Sequence, residues 1–186
     1  MRIAALGDSI TYGYGVRRKE VWTALLQEKM GHEVMNFGIS GDTTAGMLAR
    51  FNAHVLPENP QVLILIGGSN DLLMGLDPVH ASVNLKTIIY EALHARMRIY
   101  VGLPFTPSLE VDAFGDFSKD LLPAFLEKRR QLEENLQAFG QTGHFTFFNL
   151  EHAIQGNPSL YLDSLHLNGE GNRVMADYIY RQLRGE

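Results

Sequence analysis

The chain of 186 residues contains no cysteine. That absence excludes a cysteine-type structural zinc site, an iron–sulfur cluster, dithiol redox work and a cysteine nucleophile. Any covalent catalysis must use another residue. Positive charge is also in short supply, with 16 Lys and Arg against 21 Asp and Glu, a formal charge of −5 and a pI near 5.8. Nucleic-acid and anionic-membrane surfaces need clustered cations, so neither partner is expected. The one dense basic run, Lys128-Arg129-Arg130, has Glu127, Glu133 and Glu134 beside it and reads as a solvated helix face. Long apolar runs are missing too. The longest, Val62 to Ile66, falls far short of the roughly 20 residues that span a bilayer, and Ile3 to Leu6 is too short for a secretory h-region. The expectation is a cytoplasmic protein without stable membrane insertion.

Several cofactor signatures are absent as well. There is no G-x-x-x-x-G-K-[ST] phosphate loop, no G-x-S-x-G elbow and no H-E-x-x-H metal motif. Gly13-Tyr14-Gly15 does not extend to a dinucleotide fingerprint, because Arg18 stands where the third glycine is required. No metal and no cofactor is predicted. Of the seven histidines, only His166 has an acid partner at useful spacing in a strand-end setting; His152, after the last strand, is the next nearest candidate.

What is present is the composition of one soluble domain over residues 1–186, 45% hydrophobic and 20% charged. No linker, low-complexity tract or repeat of 20 to 50 residues divides it. Strand-length apolar runs at Ile3–Leu6, Val34–Phe37, Val62–Ile66, Ile99–Leu103 and Phe145–Phe148 alternate with helical patterns. The helices are expected over Val21 to Met30, Ala45 to His54, Val79 to Arg96, Ser118 to Phe139 and the stretch after Asn168, its N-cap. The run Val62 to Ile66 has no polar alternation, which marks a strand covered on both faces. Five β–α units predict an α/β three-layer sandwich with a five-stranded parallel sheet. Pro104 to Phe117 breaks the alternation as a long loop.

In such a sheet the loops leaving the strand carboxyl ends share one edge, and ligands bind there. Four of these loops carry reactive residues: Gly7-Asp8-Ser9, Ser40-Gly41-Asp42-Thr43, Gly68-Ser69-Asn70-Asp71 and Asp163-Ser164-Leu165-His166. Ser9 is the candidate nucleophile. A serine hydroxyl needs a base within reach and a third group to orient that base, and His166 with Asp163 three residues before it fits those roles. The backbone N–H groups of Ser9 and Gly41 and the Asn70 amide are candidate donors to a tetrahedral oxyanion. Each residue alone also fits a plain role as helix cap or turn former. Asp8 and Asp71 are expected to hold loop N–H groups, and Phe105, Leu109, Phe114 and Phe117 to line a substrate pocket or anchor the long loop.

These four blocks closely resemble those of the SGNH hydrolases, also called the GDSL esterase and lipase family. Gly7-Asp8-Ser9-Ile10 departs from the family's first block only by Ile for the usual Leu. Gly41, Gly68-Ser69-Asn70-Asp71 and Asp163 to His166 match the other three. The resemblance implies a flavodoxin-like fold, Ser9, His166 and Asp163 as catalytic triad, and Ser9, Gly41 and Asn70 as oxyanion hole. Similarity to the bacterial thioesterase I and lysophospholipase-like arylesterases implies a small-molecule acyl ester, thioester or lysophospholipid as substrate. Carbohydrate deacetylation or acetyl transfer would use the same triad. A non-catalytic phosphate- or nucleotide-binding module of the same fold is the alternative of another class.

Overall fold

The computed structural model describes residues 1–103, 105–111, 120–141 and 143–185. The chain opens with strand β1 (Arg2–Gly7) and a single turn of helix, α1 (Ser9–Tyr12), followed by α2 (Trp22–Met30) and β2 (Glu33–Gly38). Helix α3 (Thr44–Arg50), β3 (Val62–Ile66), the short α4 (Ser69–Leu73) and α5 (Pro78–His94) come next. Strand β4 (Arg98–Leu103), α6 (Leu122–Gly140), β5 (Thr146–Asn149), α7 (Glu151–Ile154) and α8 (Gly169–Arg184) complete the order.

The sheet runs β2-β1-β3-β4-β5, and every neighbouring pair is parallel. This is the expected three-layer architecture. Strand β3 has all five side chains buried, as its unbroken apolar run requires, because alternate residues feed two different cores. Leu63 and Leu65 join Ala4 and Leu6 against helices α3, α5 and α6, whereas Ile64 and Ile66 join Ile3 and Ala5 against α2 and α8. Full burial of one such side chain contributes roughly 1.5–3 kcal/mol.

The helix expected over Ala45 to His54 ends at Arg50, and the chain continues as one π-helical turn, Phe51–Val55. The fifth strand lies one residue later than its apolar run suggested, at Thr146–Asn149. Asn168 caps α8 as expected, its side-chain oxygen accepting from the Glu170 and Gly171 N–H groups. No helix among the described residues is long and apolar enough to cross a membrane.

Chain order reverses around β1, since β2 lies on one side of it and β3 on the other. Gly7 is in register with Gly38 on one neighbour and Ile66 on the other. Three loops therefore leave the sheet at one level, side by side. Close approach at this level depends on the absence of a side chain at 38, where a Cβ would lie 2.1 Å from the Tyr12 backbone nitrogen.

Candidate active site

Ser9 begins α1 directly beyond β1. Asp8 caps that turn by accepting the Ile10 N–H at 3.0 Å. The turn is held from both sides: Asn36 of β2 donates to the Thr11 carbonyl at 2.6 Å, and the Trp22 indole donates to the Ile10 carbonyl at 3.1 Å. A serine on a turn fixed this way projects its hydroxyl from the sheet edge with little freedom.

His166 arrives from the opposite end of the chain. Its Nε2 lies 2.9 Å from Ser9 Oγ, and its Nδ1 lies 2.8 Å from Asp163 Oδ2. A carboxylate only accepts, so it places the imidazole proton on Nδ1 and leaves the Nε2 lone pair facing the hydroxyl. Asp163 Oδ1 also accepts the backbone N–H groups of Leu165 and His166, at 2.8 and 2.7 Å. The Asp163 side chain is 6% exposed and that of His166 19%, so the acid is shielded while the ring reaches the surface. The Tyr14 ring stands 4.4 Å from the imidazole, tilted by 38°. Asn172 of α8 connects the two halves, accepting the Trp22 N–H and donating to the Leu167 carbonyl.

The oxyanion candidates sit at the same edge. Gly41 has φ of +80°, a left-handed conformation that a side chain would strain. Asn70 donates one amide hydrogen to the Asp42 carbonyl at 2.8 Å, which fixes the amide and leaves its second hydrogen free to point into the site. As the first residue of its helical turn, Ser9 has a backbone N–H without an intrahelical acceptor. Ser9, Gly41, Asn70 and His166 all line one cavity of about 290 Å³. Its remaining wall is mainly apolar, formed among others by Ile66, Leu73, Phe105, Phe125 and Leu150.

Asp8 and Asp71 do the loop-holding work expected of them. Asp71 accepts the Thr44 N–H at 2.9 Å and the Thr44 hydroxyl at 2.6 Å, and Asn84 donates to that hydroxyl. Asp8 is fully buried, and its second oxygen has no hydrogen-bond partner among the described residues. Burial pushes its carboxyl up to about 7; the Ile10 N–H opposes this, and the nearby Asp42 and Asp71 reinforce it.

Two expectations need correction or fall in part outside the described residues. Of the expected pocket residues, Phe105 lines the cavity, but Leu109 does not and is 36% exposed; Phe114 and Phe117 lie outside the described residues. The basic run is not a uniformly solvated face. Arg130 is exposed among Glu127 and Glu134, whereas Lys128 donates to the Gly75 carbonyl and Arg129 lies largely covered near Glu133 and Glu151. The helix packs against α4 and β5 on that side, so successive cations face different neighbours. His152 sits on α7 beside Val174 and Asp177 of α8 and does not line the cavity.

The chain is also similar to known proteins in sequence and in fold. The GDSL-like Lipase/Acylhydrolase family profile matches residues 5–174. The chain is 30% identical to Esterase TesA of Pseudomonas aeruginosa over 155 residues, covering 74% of this chain and 77% of that one. It is 26% identical to an arylesterase of Vibrio mimicus over 187 residues, with 98% and 88% covered. Among solved structures, a G-D-S-L family lipolytic protein from Desulfitobacterium hafniense superposes with a TM-score of 0.81 at 20% identity, covering 97% of this chain and 98% of that one. The four loops that carry the candidate residues all fall inside the matched span, and the chain belongs to the GDSL-like lipase/acylhydrolase family, as an esterase-type hydrolase.

Proposed function

We propose that the protein hydrolyses small to medium acyl esters through an acyl-enzyme on Ser9. The observation that carries this reading is the continuous relay from Ser9 Oγ to His166 Nε2 at 2.9 Å and from His166 Nδ1 to Asp163 at 2.8 Å, opening into an apolar cavity. Ser9 Oγ forms a bond to the acyl carbon while its proton passes to His166 Nε2. The carbonyl oxygen becomes an oxyanion, to which the Ser9 and Gly41 N–H groups and the Asn70 amide donate. Collapse breaks the bond to the leaving oxygen, which takes the proton from His166. Water then repeats the sequence against the acyl-enzyme and releases the acid.

The size of the cavity supports the substrate range. At about 290 Å³ it stands at the lower end of ligand pockets, which run from roughly 300 to 1,000 Å³. Its apolar wall suits a hydrocarbon chain rather than a sugar ring, which would need convergent polar groups. Sugar deacetylation and acetyl transfer are therefore the less favoured uses of the same triad.

A p-nitrophenyl series from acetate through butyrate to octanoate, run beside an acetylated sugar, tests the substrate range. Hydrolysis of butyrate and octanoate above the sugar is expected; a steep preference for the sugar overturns the ranking. An organophosphonate should add one adduct, found by mass spectrometry on Ser9. An unlabelled protein, or a Ser9→Ala variant that still hydrolyses esters, removes the serine mechanism.

A further inference from the structure

We propose that Arg50 is a positioning residue for acyl transfer, clamping the Ser9 loop and the Gly41 loop into one rigid unit. The inference rests on the reading of Ser9 as nucleophile. Arg50 lies at the end of α3, where the helix changes to a π turn, and does not line the substrate cavity. Its guanidinium reaches in two directions. Nε donates to Asp42 Oδ2 at 2.8 Å, and Nη2 donates to the Gly7 carbonyl at 3.1 Å.

Both acceptors hold working parts of the site. Gly7 is the last residue of β1, two before Ser9, and its carbonyl also accepts the Ile39 N–H. Asp42 follows Gly41 directly, and its own carbonyl receives the Asn70 amide. One cation therefore ties together the strand end that carries the nucleophile, the glycine turn and, through the Asp42 backbone, the Asn70 side chain. The ion pair is well covered, with Arg50 13% and Asp42 11% exposed, so solvent screens it far less than a surface pair. Glycine at 46 admits the carboxylate to this place, since a Cβ there would lie 1.9 Å from Asp42 Oδ1.

Charge makes a second demand on the same residue. The carboxyl groups of Asp42 and Asp71 lie close enough to act on that of Asp8, which caps the Ser9 turn, where negative charge develops in acyl transfer. Uncompensated carboxylates there would oppose the oxyanion. Arg50 offsets that charge while leaving the donors themselves neutral, and its planar fork satisfies two acceptors where an ammonium would serve as a point charge.

The test compares Arg50→Met, Arg50→Lys and Asp42→Asn for ester hydrolysis and for the rate of organophosphonate capture at Ser9, with circular dichroism to confirm folding. Displacement of catalytic groups by about 1 Å typically costs about 10²-fold, so Arg50→Met should lose roughly 10- to 100-fold in kcat and in capture rate. KM should stay within about threefold, because no substrate contact is removed. Arg50→Lys should recover part of the loss, and adding Arg50→Met to Asp42→Asn should cost far less than in the wild-type background. Should Arg50→Met fail to fold, Arg50→Lys and Asp42→Asn carry the same reading. A folded Arg50 variant with wild-type kcat and capture rate, or a loss confined to KM, overturns the clamp. A wild-type protein that captures no phosphonate instead overturns the serine reading on which it rests.

Discussion

The two halves of the proposed relay are held by different means. Ser9 stands on a turn backed by three parallel strand ends in register, pinned by the Asn36 amide and the Trp22 indole. His166 has no strand beneath it. Its loop, between the isolated bridge partners Tyr161 and Leu167, is closed by the Leu162 N–H on the His166 carbonyl and by the hydrogen bonds converging on Asp163. The sheet supplies rigidity on the serine side, whereas on the histidine side the proposed triad acid contributes it, together with backbone bonds such as that from the Ser108 N–H to the Ser164 carbonyl. One carboxylate there both orients the imidazole and builds the segment that presents it.

The difference is broken most strongly at Asp163. Asp163→Asn keeps an oxygen for the Leu165 and His166 N–H groups but can hold Nδ1 as an acceptor, which turns the Nε2 proton toward Ser9. Loss of kcat by about 10⁴ is expected, as when a triad acid is replaced by its amide, with little loss of stability. Asp163→Ala should lose comparable activity and also remove the acceptor of two part-buried N–H groups, at about 1 kcal/mol each, below the full cost of a buried unsatisfied group. Steady-state kinetics together with urea unfolding separate the two variants. Equal stabilities would mean that the loop does not depend on its acid.

Asn70 sharpens the comparison from the shared edge. Asn70→Ala removes one side-chain donor and leaves the backbone donors of the Ser9 side in place, so a loss of about 10²- to 10³-fold in kcat is expected. KM for p-nitrophenyl butyrate should hardly move. A change confined to KM would reassign Asn70 to substrate binding.

How much of this is legible in the sequence follows the same division. The buried β3 run, the Asn168 cap and the four loop blocks can be read directly, because period, capping chemistry and chain order are local properties. The meeting of the Ser9, Gly41 and Asn70 loops can be anticipated for the same reason, since their strand ends face one edge. The Asp163 to His166 segment is also expected at a strand end, but α7 separates it from β5 and it reaches the site as the loop that enters α8. Arg50 cannot, because an arginine at a helix end looks like any solvated cation until the fold puts Gly7 and Asp42 beside it. Trp22 and Asn172 behave alike in this respect: one reads as core and the other as a helix polar residue, yet together they link the serine and histidine halves. The pocket wall is the least legible part. Leu109, expected to line the pocket or to anchor the long loop, does not line it, while Phe125 and Leu150 line it without any signal of their own. Which apolar residue faces a cavity depends on packing between elements rather than on its own run.

A last effect, on stability rather than on rate, concerns the cost of the serine side. Asp8 caps the nucleophile turn from a fully buried position, and its carboxyl is pushed up to about 7. The unfolded chain releases this proton near pH 4 and the folded chain near 7, so between those values the folded state binds more protons. Stability from this group is therefore full below about pH 4 and is lost as pH rises through about 7. Asparagine at position 8 keeps an oxygen for the Ile10 N–H and cannot ionise. The difference in unfolding free energy between Asp8→Asn and wild type should accordingly move in favour of the variant on going from pH 4.5 to 8. Each pH unit separating the folded and unfolded ionisations is worth about 1.4 kcal/mol, so the change is on the order of a few kcal/mol. Urea titrations at the two pH values measure it. A difference that stays constant between them would show that Asp8 ionises inside the fold without penalty, and that the rigid serine half carries no pH-dependent cost.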